Sequence, residues 1–244
     1  MGTRAKSSSS AAATAVLRPA SPQLRGAELA FAHIGDQTRG FYDFVRVSPN
    51  RAVFGLLEVA EEGKKSSIVP AAQSTFRARA SELFPDEDVN EADAMIELCL
   101  QLNRSIINAA GRVCSCPAFA GCYNEDLGTI CYFNAGHTPG LVRDSSGVSE
   151  LAATGLPLGL FSHVTCDARM VALQPGAALA LVSAEAVLET SRQDGSGFGV
   201  VKRSLQQAGV KSANDICQAL LSSMQLMGKA NNSNGSALAL LRQL

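Results

Sequence analysis

Residues Arg51 to Val59 read RAVFGLLEV, an almost purely apolar string, and five of the eight residues from Glu58 to Lys65 are charged. A run this short and this rich in apolar residues is a buried strand, and a strand apolar on both faces has to be covered on both. It therefore demands a layered fold, and it ends by delivering a carboxylate, Glu58, to the edge of its sheet.

The surrounding text supplies the layers. GAELAFAHI and GFYDFVRV read as two strands before it, with Pro49-Asn50 as the turn into RAVFGLLEV, so the three strands are expected to form a meander. A helix is expected from a cap at Ser66 or Ser67, with Pro70 tolerated in its first turn, to a stop at Pro85. A second helix follows Asn90, where Met95, Cys99, Leu102 and Ile106 share one face, with Ile96 and Leu100 beside them. Strands return at PAFAGCY and TICYFNA around the NEDLG loop, then at GLVRDSSGVSEL, and on either side of Pro175-Gly176. Ser212 opens an amphipathic helix through Met227, and SALALLRQL closes the chain as a strand. Antiparallel hairpins interrupted by paired helices indicate α+β layers, with helices on the outer faces of sheets.

Length favours one domain: residues 1–20, rich in Ser and Ala and without acids, read as a disordered tail or linker, and 21–244 as the folded unit. The 21 basic and 22 acidic side chains leave a net charge of −1, which gives no reason to expect nucleic acid or an anionic membrane as partner. No apolar run approaches the ~20 residues of a membrane helix. Seven cysteines, an odd number scattered through core-like segments, fit reduced thiols in a cytoplasmic protein. Cys114, Cys116 and Cys122 lack the paired spacing of a zinc ribbon and read as buried thiols.

FNAGHTPGLV at 133–142 and ATGLPLGLF at 153–161, with GFYDF, LNR at 102–104 and LQPGAALALVSAEAV from Leu173, make the chain resemble bacterial sporulation-type (SpoIIE-like) serine/threonine phosphatases of the PPM, or protein phosphatase 2C-like, superfamily. The resemblance implies an αββα sandwich of two stacked antiparallel sheets, with Mg²⁺ or Mn²⁺ ions held by aspartates at one end. It also places this chain's residues in the family's metal positions: Gly40 for a leading Asp, Glu58 for the bridging Asp, Ala184 for the Asp of a Tyr-Thr-Asp-Gly string, and Asn234 for the first of a C-terminal Asp-Asp pair. One carboxylate in four remains, lengthened by a methylene. Two adjacent divalent cations need several carboxylates to offset their repulsion. The expectation is thus a catalytically inactive pseudophosphatase without a metal cofactor, acting as a protein-binding or regulatory module in bacterial signalling. Family members act on anti-sigma-factor antagonists, which makes such a protein the expected partner. The alternative is a metal-dependent phosphoserine/phosphothreonine phosphatase with a rearranged Mn²⁺ or Mg²⁺ site built from Glu58, Glu61, Glu62 and Glu185, although Lys64 and Lys65 already offset that cluster.

Several other residues read as structural. Asp43 is expected to cap a backbone turn, and His137 to be a hydrogen-bonded turn histidine. His33 and His163 sit in no motif, and GSGFG at 195–199 reads as a flexible loop.

Overall fold

The computed structural model describes residues 23–34, 40–60, 65–183, 187, 197–208, 212–227 and 235–244. Its strands are β1 (Ala27–Ile34), β2 (Gly40–Ser48), β3 (Arg51–Glu58), β4 (Ala118–Asn124), β5 (Thr129–Ala135), β6 (Gly140–Asp144), β7 (Gly147–Leu151), β8 (Arg169–Ala172), β9 (Ala178–Val182) and β10 (Gly235–Arg242). Four helices of the described residues are α1 (Lys65–Leu83), α2 (Glu91–Ala110), α3 (Gly197–Gln207) and α4 (Ala213–Met227).

The strands form two antiparallel five-stranded sheets, β1-β10-β9-β6-β7 and β2-β3-β4-β5-β8. Between them lies one core, in which Phe54, Leu56, Phe119 and Tyr132 of one sheet meet Leu29, Leu179, Leu181 and Leu238 of the other. Alternate residues of the same strands point outward. Val53 and Leu57 pack with Ile68, Phe76, Met95 and Ile106 of α1 and α2, while Ala180, Ala237 and Ala239 pack with Val201, Leu205, Ile216 and Leu220 of α3 and α4. This is the αββα sandwich, and it explains β3: lying between β2 and β4, with a core on each face, every residue before Glu58 is buried.

Local chemistry sets several element ends. The Asn90 side-chain oxygen accepts from the Ala92 and Asp93 N–H groups at 3.1 and 3.3 Å to open α2, and Gly111 closes it in a left-handed conformation, φ 62°. Ser212 Oγ accepts from Asp215 N at 3.1 Å at the start of α4.

The structure corrects four expectations. β1 does not form a meander with β2 and β3: it pairs with β10 in the other sheet, and Phe31 instead stacks its ring on Tyr42 across the sandwich. The Pro175-Gly176 turn does lie between two strands, as expected, and these belong to different sheets, because β8 adds to β5 whereas β9 lies between β6 and β10. α1 begins at Lys65, so Pro70 falls in its second turn, and Ser67 is no cap: its hydroxyl donates to Ala109 O of α2 at 3.3 Å. On α2, Ala94 and Leu98 are buried, and Ile96 and Leu100 are only half-buried, because the helix packs against α1 as well as against the sheet. Residues 197–199, read as loop, open α3, whose Val201 and Leu205 are buried four residues apart on one face.

All seven cysteines are reduced and buried, as expected. The tail expected at residues 1–20 lies outside the described residues.

Candidate functional site

Register brings one set of strand ends together. Gly40 opens β2 directly opposite Glu58, the last residue of β3, and Leu57 faces Ala118 at the start of β4. From the end of β5 the chain crosses through Gly136, His137 and Thr138 to β6, and Thr138 Oγ1 donates to Val182 O at the end of β9. Ser183 N in turn donates to Ser236 O at 2.9 Å, and Ser236 faces His33 on β1. The ends of β1, β3, β5 and β9 and the starts of β2, β4, β6 and β10 therefore form one rim of the sandwich.

Strand alternation decides which residues at this rim look inward. Glu58 has the parity of Phe54 and Leu56, Gly40 that of Tyr42 and Phe44, His33 that of Leu29 and Phe31, Ser183 that of Leu179 and Leu181, and Ser236 that of Leu238 and Leu240. Glu58 and Gly40 thus belong to one wall of the mouth between the sheets, and His33, Ser183 and Ser236 to the other. The second wall is hydrogen-bonded: His33 Nδ1 lies 3.0 Å from Ser236 Oγ, and Ser236 N donates to Ser183 Oγ at 3.0 Å. Sequence reasoning left His33 and both serines unassigned, although the same alternation along β1, β9 and β10 marks them.

At Gly40 the chain approaches its neighbour too closely for any side chain. A Cβ there would stand 2.0 Å from Leu57 O. Glu58 is half-buried, and its N–H is held by Pro117 O at 2.9 Å, while Ala60 N donates to Ser115 O at 3.0 Å. Ala184, Glu185, Asn234, Glu61, Glu62 and Lys64 lie outside the described residues, and the same is true of the Lys65 side chain. Among the described residues no three of His, Cys, Asp and Glu cluster closely enough to hold a metal, and Glu58 is the one carboxylate with inward parity at this rim. Of the four metal positions that the resemblance assigns, the described residues hold Gly40 and Glu58, and of these Glu58 brings a carboxylate.

Two of the sequence motifs prove to be one structural unit. Asn134, fully buried, accepts from His137 N at 2.8 Å through Oδ1 and donates through Nδ2 to Thr138 O and Leu151 O at 3.3 and 3.4 Å. Gly136 adopts φ 66° and lies so close to Pro157 that a Cβ would come within 2.4 Å of its ring. NAGH is thereby locked onto GLPLG. His137 sits inside this unit with Nδ1 3.0 Å from Thr138 O and 3.1 Å from Thr138 Oγ1, whose proton goes to Val182 O, so Nδ1 carries the imidazole proton. Its Nε2 is buried and has no partner among the described residues. Burial pushes the imidazole down to about 4, against a smaller upward effect of the Thr138 carbonyl, which keeps it neutral near pH 7.

Asp43 does more than cap a turn. It accepts from Phe44 N at 2.9 Å, but its carboxylate also takes a two-point contact from Arg77 and a hydrogen bond from Gln73 Nε2 at 2.9 Å, tying β2 to α1. The hydrogen bond to Asp43, aided by its charge, raises the Arg77 guanidinium above its ordinary value.

Residues 66–243 match the family model described as Stage II sporulation protein E. The chain belongs to the SpoIIE family. No curated protein matches the sequence significantly. Among solved structures, the RsbU and RsbW domains of a Mycobacterium tuberculosis protein share 18% identity at a TM-score of 0.71, with 91% of this chain and 63% of that one covered. The PP2C phosphatase domain of Bacillus subtilis SpoIIE with a fragment of its regulatory domain shares 11% at 0.72, covering 90% and 64%. The SiaA PP2C domain of Pseudomonas aeruginosa shares 13% at 0.70, covering 88% and 85%. This SpoIIE-type domain thus spans less than two thirds of the first two chains, and the likeness at these identities is one of fold: the PPM sandwich.

Proposed function

We propose that this SpoIIE-type domain is a pseudophosphatase: it keeps the sandwich, binds a protein partner in a bacterial signalling pathway, and does not hydrolyse phosphate esters. The observation that carries the reading is the approach of Gly40 to Leu57 O, which leaves no room for a carboxylate opposite Glu58. A protein phosphatase of this fold needs its metals to activate water and to offset charge on the phosphoryl oxygens. By the motif resemblance Ala184 and Asn234 stand where the family has two further carboxylates, so Gly40, Glu58, Ala184 and Asn234 together are a degenerate site, and no metal cofactor is used. The partner class is the anti-sigma-factor antagonist, by analogy with the family. Among the described residues no helix is long and apolar enough to cross a membrane, and seven reduced cysteines suit the cytoplasm.

The test is Mn²⁺ titration of the full chain by calorimetry beside an assay of para-nitrophenyl phosphate and a phosphoserine peptide. No heat and no turnover are expected. Metal-dependent turnover abolished by Glu58→Ala would overturn the reading and establish a rearranged site that uses Glu58 with Glu61, Glu62 or Glu185.

A further inference from the structure

The segment before β4 carries two cysteines one residue apart. Cys114 and Cys116 place their sulfurs 3.8 Å from each other. The backbone between them bonds alternately to two sides, as a strand does. Cys114 N donates to Gly159 O at 3.2 Å, Cys116 exchanges both bonds with Leu158 at 2.9 and 3.0 Å, and Ser115 O turns the other way to accept from Ala60 at 3.0 Å. With the Pro117 O contact to Glu58 N, this segment holds the end of β3 in place.

The pair lies one residue beneath the surface. Both cysteines are buried, Cys114 3% and Cys116 0% exposed, next to Val113, which is 66% exposed, and Gly159 packs so closely on the Cys114 sulfur that a Cβ there would stand 2.7 Å from it. The other thiols are poorer candidates. Burial pushes Cys131 up to about 11 and Cys217 up to about 12, and Cys99 is raised by its hydrogen bond with Cys166 and by burial.

We propose that Cys114 and Cys116 are an oxidisable dithiol that reacts with a hydroperoxide, and that closing their disulfide releases the end of β3. The thiolate of Cys114 attacks the peroxide oxygen, the O–O bond breaks, and an alcohol, or water from hydrogen peroxide itself, leaves. The Cys116 sulfur then attacks the sulfenic sulfur, forming S–S and expelling water. Two thiols and one peroxide give one disulfide, one alcohol and one water, and the two electrons pass from sulfur to oxygen.

Geometry couples this step to Glu58. Residues two apart in an extended segment have Cα atoms about 6.4 to 6.8 Å apart, the upper end of the range a disulfide spans. Bringing the sulfurs from 3.8 Å to about 2.05 Å therefore bends the chain at Ser115, the residue whose carbonyl holds Ala60. This inference does not depend on whether the domain turns over substrate.

The experiment treats the full chain with hydrogen peroxide and reads intact mass, fragmentation of the peptide from Val113 to Arg143, and hydrogen exchange at Ala60. A loss of two hydrogens mapped to Cys114–Cys116 is expected, absent in Cys114→Ser and Cys116→Ser and retained in Cys131→Ser. Ala60 exchange should rise roughly tenfold and return on reduction with dithiothreitol. Because the mapping uses the unmodified chain, it stands even where a variant does not fold. The proposal is overturned if both thiols still alkylate after peroxide, if the disulfide joins Cys122 to Cys131, or if Ala60 exchange is unchanged.

Discussion

The two ends of the sandwich treat charge in opposite ways. At the end away from the Glu58 rim, charged groups are paired with one another, several of them buried, and Glu91 Oε2 is the buried carboxylate oxygen left without a partner among the described residues. Arg51 on β3 gives Nε to Glu91 at 2.8 Å and its other nitrogens to Asp86 O and Glu87 O at 3.0 and 2.8 Å, while Asn124 donates to the same Glu91 oxygen at 2.8 Å. Glu125, in the β4–β5 turn, takes both Arg46 and Arg25. At the Glu58 rim the described inward positions include two glycines, a histidine, two serines, a buried asparagine and one half-buried glutamate. The difference teaches that, among the described residues, most carboxylates hold turns and helix ends, and that the described part of the rim is held chiefly by backbone and hydroxyl contacts.

The largest effect should come from breaking the charged end. Arg51 and Glu91 expose only 8% and 7% of their side chains, so Arg51→Ala strands a buried carboxylate that water cannot reach. A loss of about 3 to 5 kcal/mol is expected in urea denaturation. A loss below about 1 kcal/mol would mean that the two ends do not differ in the way described.

Next comes the buried imidazole of the rim. His137 is held to about 4 in the fold against 6.5 when exposed, so between those values the unfolded chain binds a proton that the folded chain refuses. Stability due to this group is full above about pH 6.5 and falls as pH drops toward 4, by about 3 kcal/mol in all. Denaturation midpoints measured across that window should fall less steeply in His137→Asn than in the parent, and equal slopes would remove the imidazole from the account.

A third, smaller effect tests the close packing. Gly40→Ala forces β2 away from Leu57 O and should cost about 1 to 3 kcal/mol, with Gly40→Asp no better and not rescued by millimolar Mn²⁺. Rescue of Gly40→Asp by Mn²⁺ would show that the rim can still rebuild a metal site.

How much of this was legible depended on whether the signal was local. Asn90 and Ser212 cap helices through their own side chains, and the β3 run declares its burial by its composition, so these elements could be read directly. β1 could not be placed, because whether it pairs with β2 or with β10 is decided by contacts about two hundred residues apart, and the turn residues are silent on it. α3 was missed because its glycine-rich start has low helix propensity, and the helix is held by Val201 and Leu205 against the neighbouring layer. At the site, the resemblance put Gly40 and Glu58 at two of the family's metal positions, and the strand register, which the sequence does not state, sets them opposite each other. What no alignment contains is the distance from Gly40 to Leu57 O, or the inward parity of His33, Ser183 and Ser236, which follows only once the strands are assigned to sheets.

The smallest effect is the sharpest comparison, because it sets one glutamate against another. Glu91 is buried with a cationic partner, whereas Glu58 is half-buried at an open strand end. Replacing either with glutamine keeps length and an acceptor oxygen and removes only the charge. At Glu91 that charge faces Arg51, so Glu91→Gln should lose several kcal/mol, most of it the cost of leaving the guanidinium buried without its counterion. At Glu58 the half-exposed group stays partly hydrated in either state, so Glu58→Gln should change stability by less than about 0.5 kcal/mol, and Mn²⁺ should shift neither the parent nor the variant. A loss of more than about 2 kcal/mol in Glu58→Gln, together with an Mn²⁺-dependent rise in the parent alone, would show that the Glu58 charge holds a cation and return the rim to metal chemistry.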